Sequence, residues 1–386
     1  MGTALLIGQA AYALEAERPI GRNVTAAAPL DRSRVLFATS TADSLYLLDL
    51  ITGDSVRWQV DWSPQSEGWG GFGEVARIIP SPDGNHICIL RRMLPPEVGY
   101  DVPLPSPLGV LLCRADGTAT RLVALARPDF RYGCDFTSDS RYLVGCGFYR
   151  IVPDTAHYLD YFTGELSLEL TPDFNMVETA TGAKIRLDGL DLSGEYRKCP
   201  YSDSYLVKSG TGGGPYPALV SIDTTDLTIE SVLHPSDSYP GIDPLRWVLP
   251  DALISAYRNR RGLLYLDGRF APMPQDGWRI YRWLPDGSYL LSTDGGATVI
   301  HALINWSGYT IERAVPQPNI DPYIDDTLIP MPGSDTMLLA HDRSTGELTL
   351  LQLSTASPQE EEETGGGPEE EAEEEEEEPE AEAGEE

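Results

Sequence analysis

Basic side chains are scarce in this chain. It carries 28 Lys and Arg against 60 Asp and Glu over 386 residues, a formal net charge of −32 at pH 7. Binding a phosphate backbone requires cationic side chains that displace its counterions. Nucleic acid is therefore excluded as the expected partner, and anionic membrane surfaces are disfavoured. A basic protein or a cation is what such a field attracts. Long apolar runs are also missing: no stretch approaches the roughly 18 apolar residues of a spanning helix. Cysteine is sparse and unpatterned. Cys88, Cys113, Cys134, Cys146 and Cys199 form no Cys-x-x-Cys pair and have no His at zinc spacing. They read as reduced thiols filling strands like small hydrophobes, with Cys134 and Cys146 placed where a hairpin could bring them face to face. His86, His157, His234, His301 and His341 are dispersed, and there is no Gly-x-Ser-x-Gly elbow. The Gly-rich Ser209–Gly214 lacks the Lys-Ser/Thr ending of a phosphate loop. No catalytic residue, metal site or cofactor is expected. Helical periodicity is absent over any long window, which argues against an α/β fold.

The chain does contain a repeat. A short turn built on Asp, followed by an apolar β-rich run, recurs seven times, with the Asp at positions 31, 83, 139, 203, 251, 286 and 335. The spacings are 52, 56, 64, 48, 35 and 49 residues. Where Pro precedes the Asp it pre-sets φ; Asp accepts backbone N–H bonds, and a following Gly tolerates left-handed dihedrals. The runs that follow, such as Val35-Leu36-Phe37-Ala38 and Tyr289-Leu290-Leu291-Ser292, have strand character. About 20 residues after several of these Asp comes a further strand, a Gly turn and another strand, as in Leu45–Gly53 and Val110–Gly117. Both Thr163-Gly164 and Thr181-Gly182 follow Asp139, so the 64-residue interval is expected to hold one extra hairpin within about residues 158–188.

Each repeat then supplies four short antiparallel strands, the inner one before the Asp turn. Seven such units around an axis make an all-β, seven-bladed β-propeller over residues 1–356. In the last repeat, Thr345-Gly346 comes too early after Asp335 to be the usual third-to-fourth turn, and the chain turns acidic after the third strand. The missing fourth strand is expected from the apolar Thr3–Leu14, which would close the last blade and cover an open edge. On that reading the N-terminus is a strand, not a secretory leader, and the chain belongs in the cytoplasm or in a virion.

Ser81-Pro82-Asp83-Gly84 and Leu284-Pro285-Asp286-Gly287 resemble the Ser-Pro-Asp-Gly turns of WD-repeat and TolB-like propellers. The resemblance spans about residues 20–355. It departs from the WD-repeat pattern in lacking the Trp-Asp strand ending and the Gly-His dipeptide. It implies the fold, and leaves open a binding platform, an enzyme or a periplasmic factor.

In such propellers the fourth-to-first and second-to-third loops share one face. That face is expected to carry a protein-binding surface made by Trp62, Trp69, Phe72, Tyr100, Tyr216, Tyr239, Trp278 and Tyr323, with the basic turn Arg258, Arg260 and Arg261. Arg77, Arg131, Arg197, Arg246 and Arg279 precede their turn Asp by 6, 8, 6, 5 and 7 residues. Side chains alternate along a strand, so these Arg cannot all face one way and read as bridges between blades. The Asp321, Asp325, Asp326 and Asp223, Asp226 groups lack calcium-loop spacing. The leading expectation is a non-catalytic scaffold for a protein partner. The alternatives are a hydrolase or lyase acting on a carbohydrate or small anion at the channel, and a virion or surface structural protein.

The charge divides into two parts. Residues after Ser357 hold 17 Glu and no Lys or Arg, which leaves the first 357 residues at −15. Residues 357–386 are expected to be a disordered Glu-rich tail that could tether a basic partner.

Overall fold

The computed structural model describes residues 11–356 apart from 41–44, 61–68, 95–106, 127–133, 152–172, 189–194, 199–202, 209–217, 234–246, 250–251, 258–259, 266–269, 273–278, 284–288, 294–295, 306–307, 317–327, 335–336 and 343–344. Among the described residues there is no helix, and every strand belongs to one of seven four-stranded antiparallel sheets. The first sheet runs Val24–Pro29, Arg34–Thr39, Leu45–Asp49, Ser55–Trp58. The second runs Gly71–Pro80, His86–Leu94, Leu108–Arg114, Arg121–Ala126. The third runs Cys134–Phe136, Tyr142–Phe148, Phe174–Glu178, Lys184–Ile185. The fourth, fifth and sixth lie within 195–233, 247–272 and 279–316. The seventh takes Leu328–Pro330, Met337–Asp342 and Glu347–Ala356 and adds Ala11–Gly21 as its outermost strand.

The Asp turns explain why the first two strands of a sheet stay in register. The Asp31 carboxylate accepts the backbone N–H groups of Ser33 and Arg34, both at 2.9 Å. Asp83 does the same for Asn85 at 3.0 Å and Asp139 for Arg141 at 3.0 Å. A carboxylate that caps amides two or three residues on holds the chain reversal that a two-strand ladder needs. The turns also bind one another. The Asp83 N–H donates to Ser140 Oγ at 3.0 Å, and Ser138 N–H donates to Asp203 of the fourth sheet at 2.7 Å. Ser140 holds φ 62°, where the second sheet has Gly84 at φ 70°. Its hydroxyl contact to the neighbouring turn offsets the strain of that left-handed residue.

The core lies between sheets. Ile87, Ile89, Met93 and Leu111 of the second sheet meet Leu36 and Leu45 of the first, while Cys88, Leu90 and Leu112 meet Phe136 and Leu143 of the third. A strand covered on both faces can be apolar at every position. Ile87–Leu90 is buried throughout, whereas Ser55–Arg57 on the outermost strand is exposed. Sheets adjacent in the chain touch from the seventh through the first to the fourth, and from the fifth to the seventh.

The strand described on the outside of the seventh sheet is Ala11–Gly21, running from Ala11↔Ala356 to Gly21↔Leu348; it shares Ala11–Leu14 with the expected Thr3–Leu14 and extends past it to Gly21. An outermost strand is solvated on one side, so it admits the exposed Glu17 and Arg18, which apolarity alone would reject. Residues 1–10 lie outside the described residues. Phe174–Glu178 and Lys184–Ile185 around Thr181-Gly182 are the third sheet's third and fourth strands; the other turn of the expected extra hairpin, Thr163-Gly164, lies outside the described residues. Finally, Cys134 pairs in register with Gly145, not Cys146, and Cys88, Cys113 and Cys134 are buried free thiols. Burial, with Cys88 close by, pushes the Cys113 thiol well above its usual range.

The seventh and first sheets meet through specific contacts. Val24 N–H donates to the Gly346 carbonyl at 2.8 Å, and the buried His341 Nε2 lies 2.9 Å from the Val24 carbonyl oxygen. Gly346 sits at φ 70°, and a Cβ there would come within 2.9 Å of Asn23 Cα, so only glycine allows this approach. Arg18 on the outermost strand donates to the Leu50 carbonyl of the first sheet at 3.0 Å.

Candidate functional site

The first strands of neighbouring sheets converge on a cavity of about 290 Å³. Its walls among the described residues are Ala26–Pro29 of the first sheet, Ala76–Pro80 of the second, Asp135 of the third, and Ile329 with Pro332 of the seventh. Small and apolar side chains dominate, and Arg77 and Asp135 are the charged groups of that lining. Arg77 donates Nη1 to the Cys134 carbonyl of the third sheet at 3.2 Å. It thus joins two sheets, as expected, through this carbonyl. Asp135 accepts the N–H of Phe136 at 2.9 Å. Of the other Arg at the inner strands, Arg131 and Arg246 lie outside the described residues, and for Arg197 and Arg279 only the strand is described.

Of the residues expected on the loop-rich face, two have described side chains, and both are buried. Trp69 is 8 % exposed and Phe72 9 %, packed in the layer between the first and second sheets. Phe72 also lies beneath the buried Arg91 guanidinium, 5.1 Å from its ring centre. These two rings stabilise the base of the face and do not present a surface. Trp62, Tyr100, Tyr216, Tyr239, Arg258, Trp278 and Tyr323 lie outside the described residues. Arg260 and Arg261 open the third strand of the fifth sheet, so they belong to a ladder and not to a free turn. Asp223 and Asp226 cap their own turn, accepting from Thr225 N–H at 2.7 Å and Thr228 Oγ1 at 2.8 Å. Asp321, Asp325 and Asp326 are outside the described residues. Among the described residues no three His, Cys, Asp or Glu side chains converge as metal ligands would.

The cavity was not legible as a site from motifs, because its lining carries no reactive pattern. The signal was negative: the residues just before the Asp turns are small, and three of these strands end in Pro.

Catalytic carboxylates are tuned by burial and charge partners inside a cleft. Here the depressed carboxylates sit in turns. Burial pushes Asp31 up, but the hydrogen bonds from Arg34 and Ser33 outweigh it and hold its carboxyl below the usual range. Asp83 is raised by burial and lowered further by Ser81, Asn85 and Ser140; Asp139 by Thr137, Arg141 and Thr224 in the same way. A carboxyl whose folded pKa lies below its unfolded value of 3.8 contributes stability that is complete above that value. The contribution is lost as pH falls through the folded pKa. The midpoint of urea unfolding is therefore expected to hold steady from neutrality to about pH 5 and to drop steeply below about pH 4. Asp83→Asn should flatten part of that drop; a midpoint that rose on acidification would contradict the assignment.

No family model matches this chain, and no curated protein matches it. Solved structures do. An oligogalacturonate lyase from Vibrio parahaemolyticus is 12 % identical, with 89 % of this chain and 97 % of that one covered and a TM-score of 0.50. An oligogalacturonate lyase in complex with manganese is 17 % identical over 89 % and 98 % of the two chains, with a TM-score of 0.48. The WD40 repeats of RRP9 are 11 % identical over 90 % and 99 %, with a TM-score of 0.49. Likeness at these identities concerns the fold alone. The chain has a β-propeller fold.

Proposed function

We propose that the chain is a seven-bladed propeller, closed by pairing of Ala11–Gly21 with Glu347–Ala356, that serves as a non-catalytic scaffold for a protein partner. The observation that carries this reading is the chemistry of the central cavity. Its described lining is Ala, Pro and Ile, with one Arg already bonded to a carbonyl and one Asp already capping an amide. A hydrolase or lyase needs an acid, a base or a metal placed around one reacting atom. The depressed carboxylates instead fix turns. A partner would be basic, given a net charge of −15 before the tail and 17 further Glu after Ser357.

The test combines Trp62→Ala, Tyr100→Ala and Trp278→Ala in the full-length chain. Affinity capture from the native host should recover a partner with the parent and lose it at least about tenfold with the triple variant, at an unchanged melting temperature. An unchanged set of captured proteins would overturn the loop-face assignment. Release of unsaturated sugar from oligogalacturonate by the purified chain would overturn the non-catalytic reading.

A further inference from the structure

The innermost strands of the first, second, third and seventh sheets have one edge paired and one edge turned to the cavity. In an antiparallel ladder, successive residues point their N–H and C=O to opposite sides. Leu30, Ser81 and Met331 donate their N–H groups to the second strand, to the carbonyls of Arg34, His86 and Met337 at 2.9, 2.8 and 3.0 Å. The residue before each of them therefore points its backbone groups the other way. Those residues are Pro29, Pro80 and Pro330, which have no N–H. In the third sheet Thr137 N–H bonds the Tyr142 carbonyl at 2.8 Å, so Phe136 occupies the same position. Its N–H is covered by the Asp135 carboxylate at 2.9 Å. Of these residues Pro29 and Pro80 line the cavity, where they present carbonyl oxygens and carry no N–H.

A mouth of acceptors without donors selects a ligand that brings donors. The protein itself fills two of these outward carbonyls in that way. The guanidinium of Arg77 bonds the Cys134 carbonyl at 3.2 Å. The ammonium of Lys198 bonds the Phe136 carbonyl at 2.5 Å and pairs with Asp203 at 3.5 Å. Deeper in, the wall formed by Ala26, Ala27, Ala28, Ala76 and Ile78 is apolar.

We propose that the turn-side mouth of the central cavity binds a cationic side chain of a partner, a guanidinium or primary ammonium on an aliphatic stem. This deepens the scaffold reading by naming the partner's chemistry, but it places the contact opposite the loop-rich face. Arg77 and Asp135 offset each other in the lining. The proline carbonyls of the lining belong to Pro29 and Pro80, on the side of the first and second sheets. Strand direction puts the Glu-rich tail on the same side. The third strand of a sheet runs parallel to the first, so Glu347–Ala356 ends at the turn face, and residues 357–386 begin there. Their 17 Glu would raise the local concentration of a basic partner at this mouth.

The experiment titrates the full-length chain with n-butylguanidinium, n-butylammonium and butanoate, observed by saturation-transfer NMR. Both cations should saturate one site, with butanoate weaker by at least about tenfold. Ala27→Phe should abolish cation binding by filling the cavity. Asp135→Asn keeps the acceptor for Phe136 N–H and should weaken binding severalfold, which keeps the test open if Ala27→Phe fails to fold. Truncation after Ser357 should leave n-butylguanidinium binding unchanged and weaken a hexa-arginine peptide. The proposal is overturned if neither cation saturates, if butanoate binds equally, or if the folded Ala27→Phe or Asp135→Asn variants bind undiminished. None of these outcomes depends on whether the loop-face triple variant loses its captured partner, so the two readings fail separately.

Discussion

Deleting residues 1–21 should leave no soluble, cooperatively folding protein. The segment Ala11–Gly21 pairs along the whole of Glu347–Ala356 and forms the outer edge of the seventh sheet. Without it, the ladder groups of a ten-residue strand lose their partners, and a long apolar edge opens to other chains. The deletion also removes the Arg18 bond to Leu50 and brings the new terminus next to Val24, where the first sheet meets Gly346 and His341. Each buried polar group left unpaired costs about 1–3 kcal/mol. Total stability of a domain is about 5–15 kcal/mol, so a few such groups are enough. Size-exclusion chromatography and circular-dichroism melting should show aggregate or a lost transition. A chain lacking only residues 1–10 keeps every one of these pairs and should melt close to the parent. A peptide of residues 11–21 added in trans should restore the transition by strand addition. A soluble, monomeric chain lacking residues 1–21 with a parental melting curve would overturn the closure.

Arg91→Ala should cost about 2–5 kcal/mol, the range for truncating a large buried side chain to Ala. Arg91 is 0 % exposed and shares a strand face with Ile87, Ile89 and Met93, in the apolar layer against the first sheet. A guanidinium is tolerated there because a bulge between Phe72 and Val75 takes carbonyls out of the ladder. Arg91 Nε donates to the Gly73 carbonyl at 2.8 Å and Nη2 reaches the Phe72 carbonyl at 3.5 Å. Its plane also lies over the Phe72 ring. Truncation to Ala would strand those acceptors and leave a void beneath Trp69 and Phe72. The neighbouring Arg92 is exposed and pairs with Glu74 at 3.5 Å, so Arg92→Ala should cost less than about 1 kcal/mol. Urea unfolding of the two variants measures the difference. Equal, small losses would show that Arg91 is not buried as described.

Arg91 and Arg92 show where reading a sequence stops. Both follow the apolar Ile87-Cys88-Ile89-Leu90, and nothing in the pair distinguishes them. Strand alternation assigns them opposite faces, but only the neighbouring sheet and the bulge decide which face is dry. Trp69 and Phe72 make the same point in reverse: aromatic residues next to a long connecting segment read as a surface, and packing of the first sheet buried them. The Asp turns at 31, 83 and 139, by contrast, act within a few residues through hydrogen bonds of the Asp to its own backbone. A local cause leaves a local trace, so the all-β, four-strand repeat was legible.

The sequence by itself determined the repeating strand pattern, the turn chemistry and the excess of negative charge, because each follows from short-range conformational preference or simple composition. Tertiary structure alone decided that Ala11–Gly21 pairs with Glu347–Ala356, that Cys134 faces Gly145, and that Pro29 and Pro80 turn their carbonyls to the cavity. Those outcomes depend on register and on which strand edge meets which neighbour. Ala11 and Ala356 lie hundreds of positions apart, so no local window contains both partners of that ladder.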